Sequence, residues 1–128
     1  MLIVVDPSSG VPVFRQVMDQ VRFHIASGLL KAGDELPPTR SLSAELGVNP
    51  MTISKAYNLL ERDGVLERRP GRPLVVAALA AEDIELEKLD QLRSHLASAV
   101  RAARQLKVKP GEAIRVFREL LDEIDKED

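Results

Sequence analysis

The sequence predicts a mainly α-helical fold with one small β-hairpin, built as a compact N-terminal domain followed by a C-terminal two-helix tail. Three observations carry this prediction. Apolar residues recur at helical spacing in three successive segments before Gly64; two short β-prone runs flank a basic Pro/Gly turn at 69–73; and a Leu/Ala seam of period 3.5 begins at Leu89.

Leu2 to Val5 is a short β-branched run of the kind that forms strands, closed by the turn cluster Asp6-Pro7-Ser8-Ser9-Gly10. Phe14, Val17, Met18, Val21 and Ile25 then define one face of a helix that Gly28 stops. The next stretch, 29–35, reads as a connector turning at Gly33-Asp34. Pro37-Pro38-Thr39 opens a second helix with Leu42 and Leu46 facing inward, and Gly47 stands where the chain must take positive φ. Asn49 is a good N-cap and Pro50 a favoured first helical residue for a third helix, anchored by Ile53, Ala56, Tyr57 and Leu60 and ended by Gly64. Residues 65–68 and 74–77 read as a hairpin with a basic tip. Beyond Ala81, Leu89, Leu92, Leu96, Ala99, Ala103 and Leu106 alternate steps of three and four. Lys109-Pro110-Gly111 breaks that helix, and Ile114, Phe117, Leu121 and Ile124 mark a shorter one. The expected domains are 1–77 and 82–126. The tail is too small to hold a core of its own, so its apolar face must pack on the first domain or on a second copy.

Composition excludes several classes. Without Cys there are neither disulfides nor thiolate zinc sites, and His24 and His95 lie in separate helices, so neither a metal nor another cofactor is expected. Three Phe, one Tyr and no Trp argue against an aromatic cage or stacking platform. No apolar run approaches the ~20 residues needed to span a bilayer, and the start MLIVVDPSSG lacks a basic leader, so the expected location is the cytoplasm. No acid, base and nucleophile fall into a catalytic pattern, so an enzyme is not expected. Net charge is −2, but residues 1–76 hold nine Lys/Arg against eight Asp/Glu, and residues 77–128 nine against twelve. Only the first part is suited to a polyanion.

The spacing of the second and third helices is that of a helix-turn-helix, whose second helix lays its N-terminal residues in a DNA major groove. Asn49, Pro50, Met51, Thr52, Ser54 and Lys55 form that exposed start. Asn49 and Thr52 each hold either the chain's own cap or a phosphate oxygen; Met51 either meets a thymine methyl or is plainly exposed. Arg69, Gly71 and Arg72 make a wing tip suited to the DNA backbone or minor groove, the competing reading being a solvated turn. Arg40 lies in the first turn of the second helix, where a cation opposes the helix dipole by roughly a few tenths of a kcal/mol; an external phosphate would relieve the conflict, the competing reading being plain surface exposure.

The stretch LPPTRSLSAELGVNPMTISKAYNLLERDGVLERRPGRP resembles the winged-helix domain of GntR-type bacterial transcription regulators. The match runs through Leu36, Pro37, Arg40, Leu42, Leu46, Gly47, Val48, Thr52, Ala56, Tyr57, Leu60, Glu61 and Gly64, and the resemblance covers residues 1 to about 77. The short tail and GVNPMTISKAY are similar to the YtrA subfamily. The resemblance implies a winged helix-turn-helix repressor that acts on a palindromic operator as a homodimer. Such a repressor often controls its own operon and a neighbouring ABC transporter. By position it gives Arg40 a phosphate or base, Asn49 to Thr52 and Lys55 the groove-facing role, and Gly71 with Arg72 the wing tip. Leu89, Leu92, Leu96, Ala99, Ala103, Leu106, Phe117 and Leu121 become the dimer surface, and a small-molecule effector of unknown identity remains as a further partner. Pro38 replaces the family's usual capping Ser, passing the cap to Thr39, and Pro73 replaces a second wing glycine. The alternative class is a winged helix used as a protein-interaction module without DNA; cations at positions 40, 69 and 72 oppose it.

Overall fold

Helix α1 (Val13–Ala26) places Val17, Val21 and Ile25 against α3 (Pro50–Arg62), which answers with Ile53, Ala56, Tyr57 and Leu60. The computed structural model describes residues 2–127. Helix α2 (Thr39–Leu46) packs across the same face of α3 through Leu42, which is 1% exposed. The hairpin consists of β1 (Leu66–Glu67) and β2 (Val75–Val76), antiparallel with Leu66 opposite Val76 and Glu67 opposite Val75. Helices α4 (Ala81–Gln105) and α5 (Pro110–Glu127) complete the chain.

The helical expectations hold, and the strands differ in two ways. The hairpin ladder is shorter than 65–68 and 74–77, because only two residues on each side pair. In compensation β2 gains a second neighbour: Glu35 bridges Val75, the Leu36 N–H donates to the Leu74 carbonyl at 2.8 Å, and the Val76 N–H donates to the Asp34 carbonyl at 2.9 Å. The connector after α1 is therefore a sheet edge, which brings Leu36 into the core at 2% exposure.

Residues 2–5 form no strand. Their backbone groups are taken instead by side chains of α1. The Gln20 amide accepts from the Val4 N–H at 2.9 Å and donates to the Val4 carbonyl at 2.6 Å, and a ring nitrogen of His24 lies 2.8 Å from the Leu2 carbonyl. With the segment so held, Ile3 is 3% exposed. Replacing Gln20 by Ala removes both bonds. The expected loss is about 1–2 kcal/mol, read as a fall in thermal midpoint with α1 itself intact.

By Cα packing the chain forms two compact units, Met1–Gln91 and Leu92–Asp128, with the boundary inside α4. In the first unit, Arg22 donates to Asp63, the C-cap residue of α3, at 2.8 Å, and lies 3.8 Å from Glu87 near the start of α4. Leu79 packs against the core. In the second unit the turn after α4 passes through Lys107 at φ 59°, and Pro110 is the first residue of α5, so it starts that helix as well as separating it from α4. Most large apolar side chains of this unit are exposed, among them Leu92, Leu106, Ile114, Leu120, Leu121 and Ile124.

Candidate nucleic-acid interface

The turn between α2 and α3 is built from local chemistry. Gly47 takes φ 68°, ψ 33°, and the Val48 N–H donates back to the Ser43 carbonyl at 3.0 Å, closing α2. This conformation strains any residue with a Cβ. Asn49 then caps α3: its Oδ1 accepts from the Met51 N–H at 2.8 Å, and Pro50 fills the first position, where no N–H is needed. Of the two readings open for Asn49, the oxygen thus serves the chain's own cap, while its Nδ2 group keeps donors to offer outside. The expected Thr39 cap does not form. Thr39 is already helical, Pro38 occupies the N-cap, and no side chain caps α2.

Beneath this turn Tyr57 fixes the start of α2. Its hydroxyl donates to the Pro37 carbonyl at 2.8 Å, and burial pushes its pKa well above the ordinary phenol value. The folded state therefore keeps a proton that the unfolded chain releases above pH ~10. Stability is fully present below that pH and falls as pH rises past it, by about 1.4 kcal/mol per unit. Chemical denaturation of the wild type and of Tyr57→Phe between pH 9 and 11 checks this. The variant loses about 1 kcal/mol at neutral pH and lacks this tyrosine's share of the alkaline slope.

Around the cap the proposed contact residues are laid out as follows. Asn49, Pro50 and Met51 are exposed, Met51 at 77%, while Thr52 and Ser54, two residues apart near the start of α3, are half-buried. Lys55 leans toward α1, its Nζ 4.0 Å from the centre of the Phe14 ring, a cation–π contact. In the wing, Gly71 takes φ 71° at the tip. The arginines there are not equivalent. Arg68 lies 3.4 Å from Glu61 and Arg69 lies 3.8 Å from Glu67, so each is partly neutralised. Arg72, and Arg40 on α2, have no acidic partner among the described residues.

A groove of about 490 Å³ runs between the start of α2, α3 and the wing, with Thr39, Ser54, Asn58, Arg68 and Arg72 on its walls and Tyr57 and Leu74 at its base. Ser54 and Arg72 were expected at the interface. Thr39, Asn58 and Arg68 were not, because only the folding of the hairpin onto α3 brings them together. Arg40, Asn49, Met51 and Arg69 lie outside the groove. Among the described residues there is no cluster of His, Cys, Asp or Glu that could hold a metal, and no helix long and apolar enough to cross a membrane.

Three helices in which the last is capped outward, followed by a hairpin wing, define a winged helix-turn-helix domain. Residues 14–76 match the model of the gntR family of bacterial regulatory proteins. The chain is 34% identical over 95 residues to the HTH-type transcriptional repressor YtrA of Bacillus subtilis, covering 74% of this chain and 73% of that one. Among solved structures it is similar to YtrA from Sulfolobus acidocaldarius, a GntR-family transcription factor, at 30% identity and TM-score 0.57 over 96% of this chain and 99% of that one. It is also similar to the DNA-binding domain of AraR, solved in complex with an operator, at 26% identity and TM-score 0.52 over 60% of this chain and 95% of that one. The chain belongs to the GntR family of transcription regulators and is YtrA-like within it.

Proposed function

We propose that the chain is a sequence-specific repressor that binds a palindromic operator as a homodimer and controls its own operon, together with a neighbouring ABC transporter. The observation that carries the reading is the exposed, capped start of α3 lying in one domain with two arginines, Arg40 and Arg72, that no acid among the described residues neutralises. In this reading Asn49, Pro50, Met51, Thr52 and Ser54 face the major groove, Arg40 holds a phosphate or base, and Gly71 carries the wing tip to the backbone. Arg68, Arg69, Arg72 and Asn58 take phosphate oxygens, those of the groove from one strand. Lys55 serves DNA only by leaving Phe14.

Dimerisation through the tail is supported by the apolar side chains that one chain leaves uncovered. Leu89, Leu92 and Leu106 are 55%, 46% and 75% exposed, and Phe117 and Leu121 are 39% and 50% exposed. Leu96 and Ala103 are half-covered within the chain and Ala99 is exposed on the same α4 seam. A second copy is the partner that a two-fold operator requires. Repression is supported by the similarity to the YtrA repressor.

Fluorescence anisotropy of a labelled duplex from the gene's own upstream region, against a scrambled duplex at two salt concentrations, tests the reading. The expected preference is ~10³-fold or more, with both affinities falling as salt rises. Equal, weak binding to both duplexes contradicts this operator assignment.

A further inference from the structure

The end of α1, the connector after it, the end of β2 and the first turns of α4 border a second cleft, of about 290 Å³ and open to solvent on one side, within the compact unit 1–91. Its walls are apolar: Ile25, Leu30 and Val76 belong to the buried core, and Leu79 and Ile84 close it from the α4 side. Two cations, Lys31 and Lys88, line it, and no Asp or Glu does. Lys88 holds Glu85 at 2.8 Å, but that carboxylate is 71% exposed, so the pair is readily exchanged. The Lys31 ammonium has no acidic partner within 4 Å among the described residues; the nearby Asp34 carboxylate accepts from the Lys31 backbone N–H at 2.8 Å.

An apolar pocket lined by two lysines and no acid, one lysine held only by an exposed glutamate outside the lining, has the chemistry of an amphiphile's carboxylate end. We infer that this cleft binds a small apolar carboxylate of about eight to ten non-hydrogen atoms, a size suited to the small end of the range of ligand sites. The chain is buried against Ile25, Leu30 and Val76, and the carboxylate lies between Lys31 and Lys88. Part of the wall, Leu79, Ile84 and Lys88, lies outside the segment 14–76 that matches the family. The ligand would touch both α1, which packs on α3, and the start of α4. An effector role for it rests on the regulator reading above; its binding does not.

The test therefore uses the full chain without DNA. Hexanoate, 1-hexanol and hexylammonium are titrated in turn, followed by backbone amide shifts. Hexanoate is expected to saturate shifts confined to the amides near 25–32, 76–79 and 84–88. Hexanol should bind the same place about fivefold more weakly and hexylammonium more weakly still, as expected for two half-exposed ion pairs. The Lys31→Gln/Lys88→Gln variant, altered only at exposed positions, should hold hexanoate no better than hexanol. Shifts elsewhere in the chain, equal binding of carboxylate and alcohol by the wild type, or undiminished hexanoate binding by the double variant each overturn the assignment. Loss of operator binding in the anisotropy experiment leaves this result unaffected, so the two readings fail separately.

Discussion

Changing Arg40 and Arg72 together to alanine is expected to lower affinity for the cognate duplex by ~10²-fold or more at moderate salt, on the basis of 1–3 kcal/mol for each specific arginine contact. The two are singled out because no acid neutralises them among the described residues, whereas Arg68 and Arg69 each sit beside a glutamate. A partnered arginine must give up its glutamate before it serves phosphate, so Arg69→Ala is expected to cost less than either single change. The variants also separate the kinds of contact. Loss of a phosphate contact weakens specific and scrambled duplexes alike and reduces the salt slope by about one. Loss of a base contact weakens the specific duplex alone. Both side chains are exposed, so the thermal midpoint should not move. Unchanged affinity in the double variant would favour a protein-interaction role for the domain.

The second large effect concerns the tail. Leu92→Asp with Leu121→Asp is expected to convert a dimer into a monomer in sedimentation, and to lower affinity for a palindromic duplex by ~10²-fold or more while leaving a half-site duplex nearly unaffected. Both side chains are about half exposed within one chain, at 46% and 50%, so charge there disturbs a partner surface and not the chain's own core. The size follows from linkage: joining two reading heads makes the second contact intramolecular, with an effective concentration that can raise avidity 10²–10⁴-fold. A double variant that remains dimeric would place the dimer surface elsewhere.

Local chemistry made most of this fold legible in the sequence. Gly47, Asn49 and Pro50 specify a turn and a helix start through their own backbone preferences, and the structure has both. The inward faces of α1 and α3 follow from spacing alone. What escaped was whatever depends on residues far apart in sequence. The Gln20 amide takes the place of a strand partner for Val4, 16 positions away, and Arg22 finds Asp63 across 41 positions. Neither leaves a periodic trace. The strand role of 33–36 was hidden by a Gly-Asp turn that reads as a loop, although its alternating backbone groups pair with β2. In the candidate site the exposed start of α3 was legible from the cap. The groove holding Asn58 and Arg68 beside Arg72 was not, because it exists only once the wing folds back onto α3. Nor does sequence spacing indicate that Lys55 turns to Phe14.

The most direct test of the central claim, that a dimer of this chain reads a two-fold DNA site, is selection from a pool of random duplexes by the 128-residue chain, followed by sequencing. The expected product is an inverted repeat whose half-sites lie about one helical turn apart, roughly 34 Å, with the Leu92→Asp/Leu121→Asp variant enriching only a half-site, if anything. A pool that remains random after repeated rounds would contradict sequence-specific DNA binding, and an enriched site without two-fold symmetry would contradict the dimer.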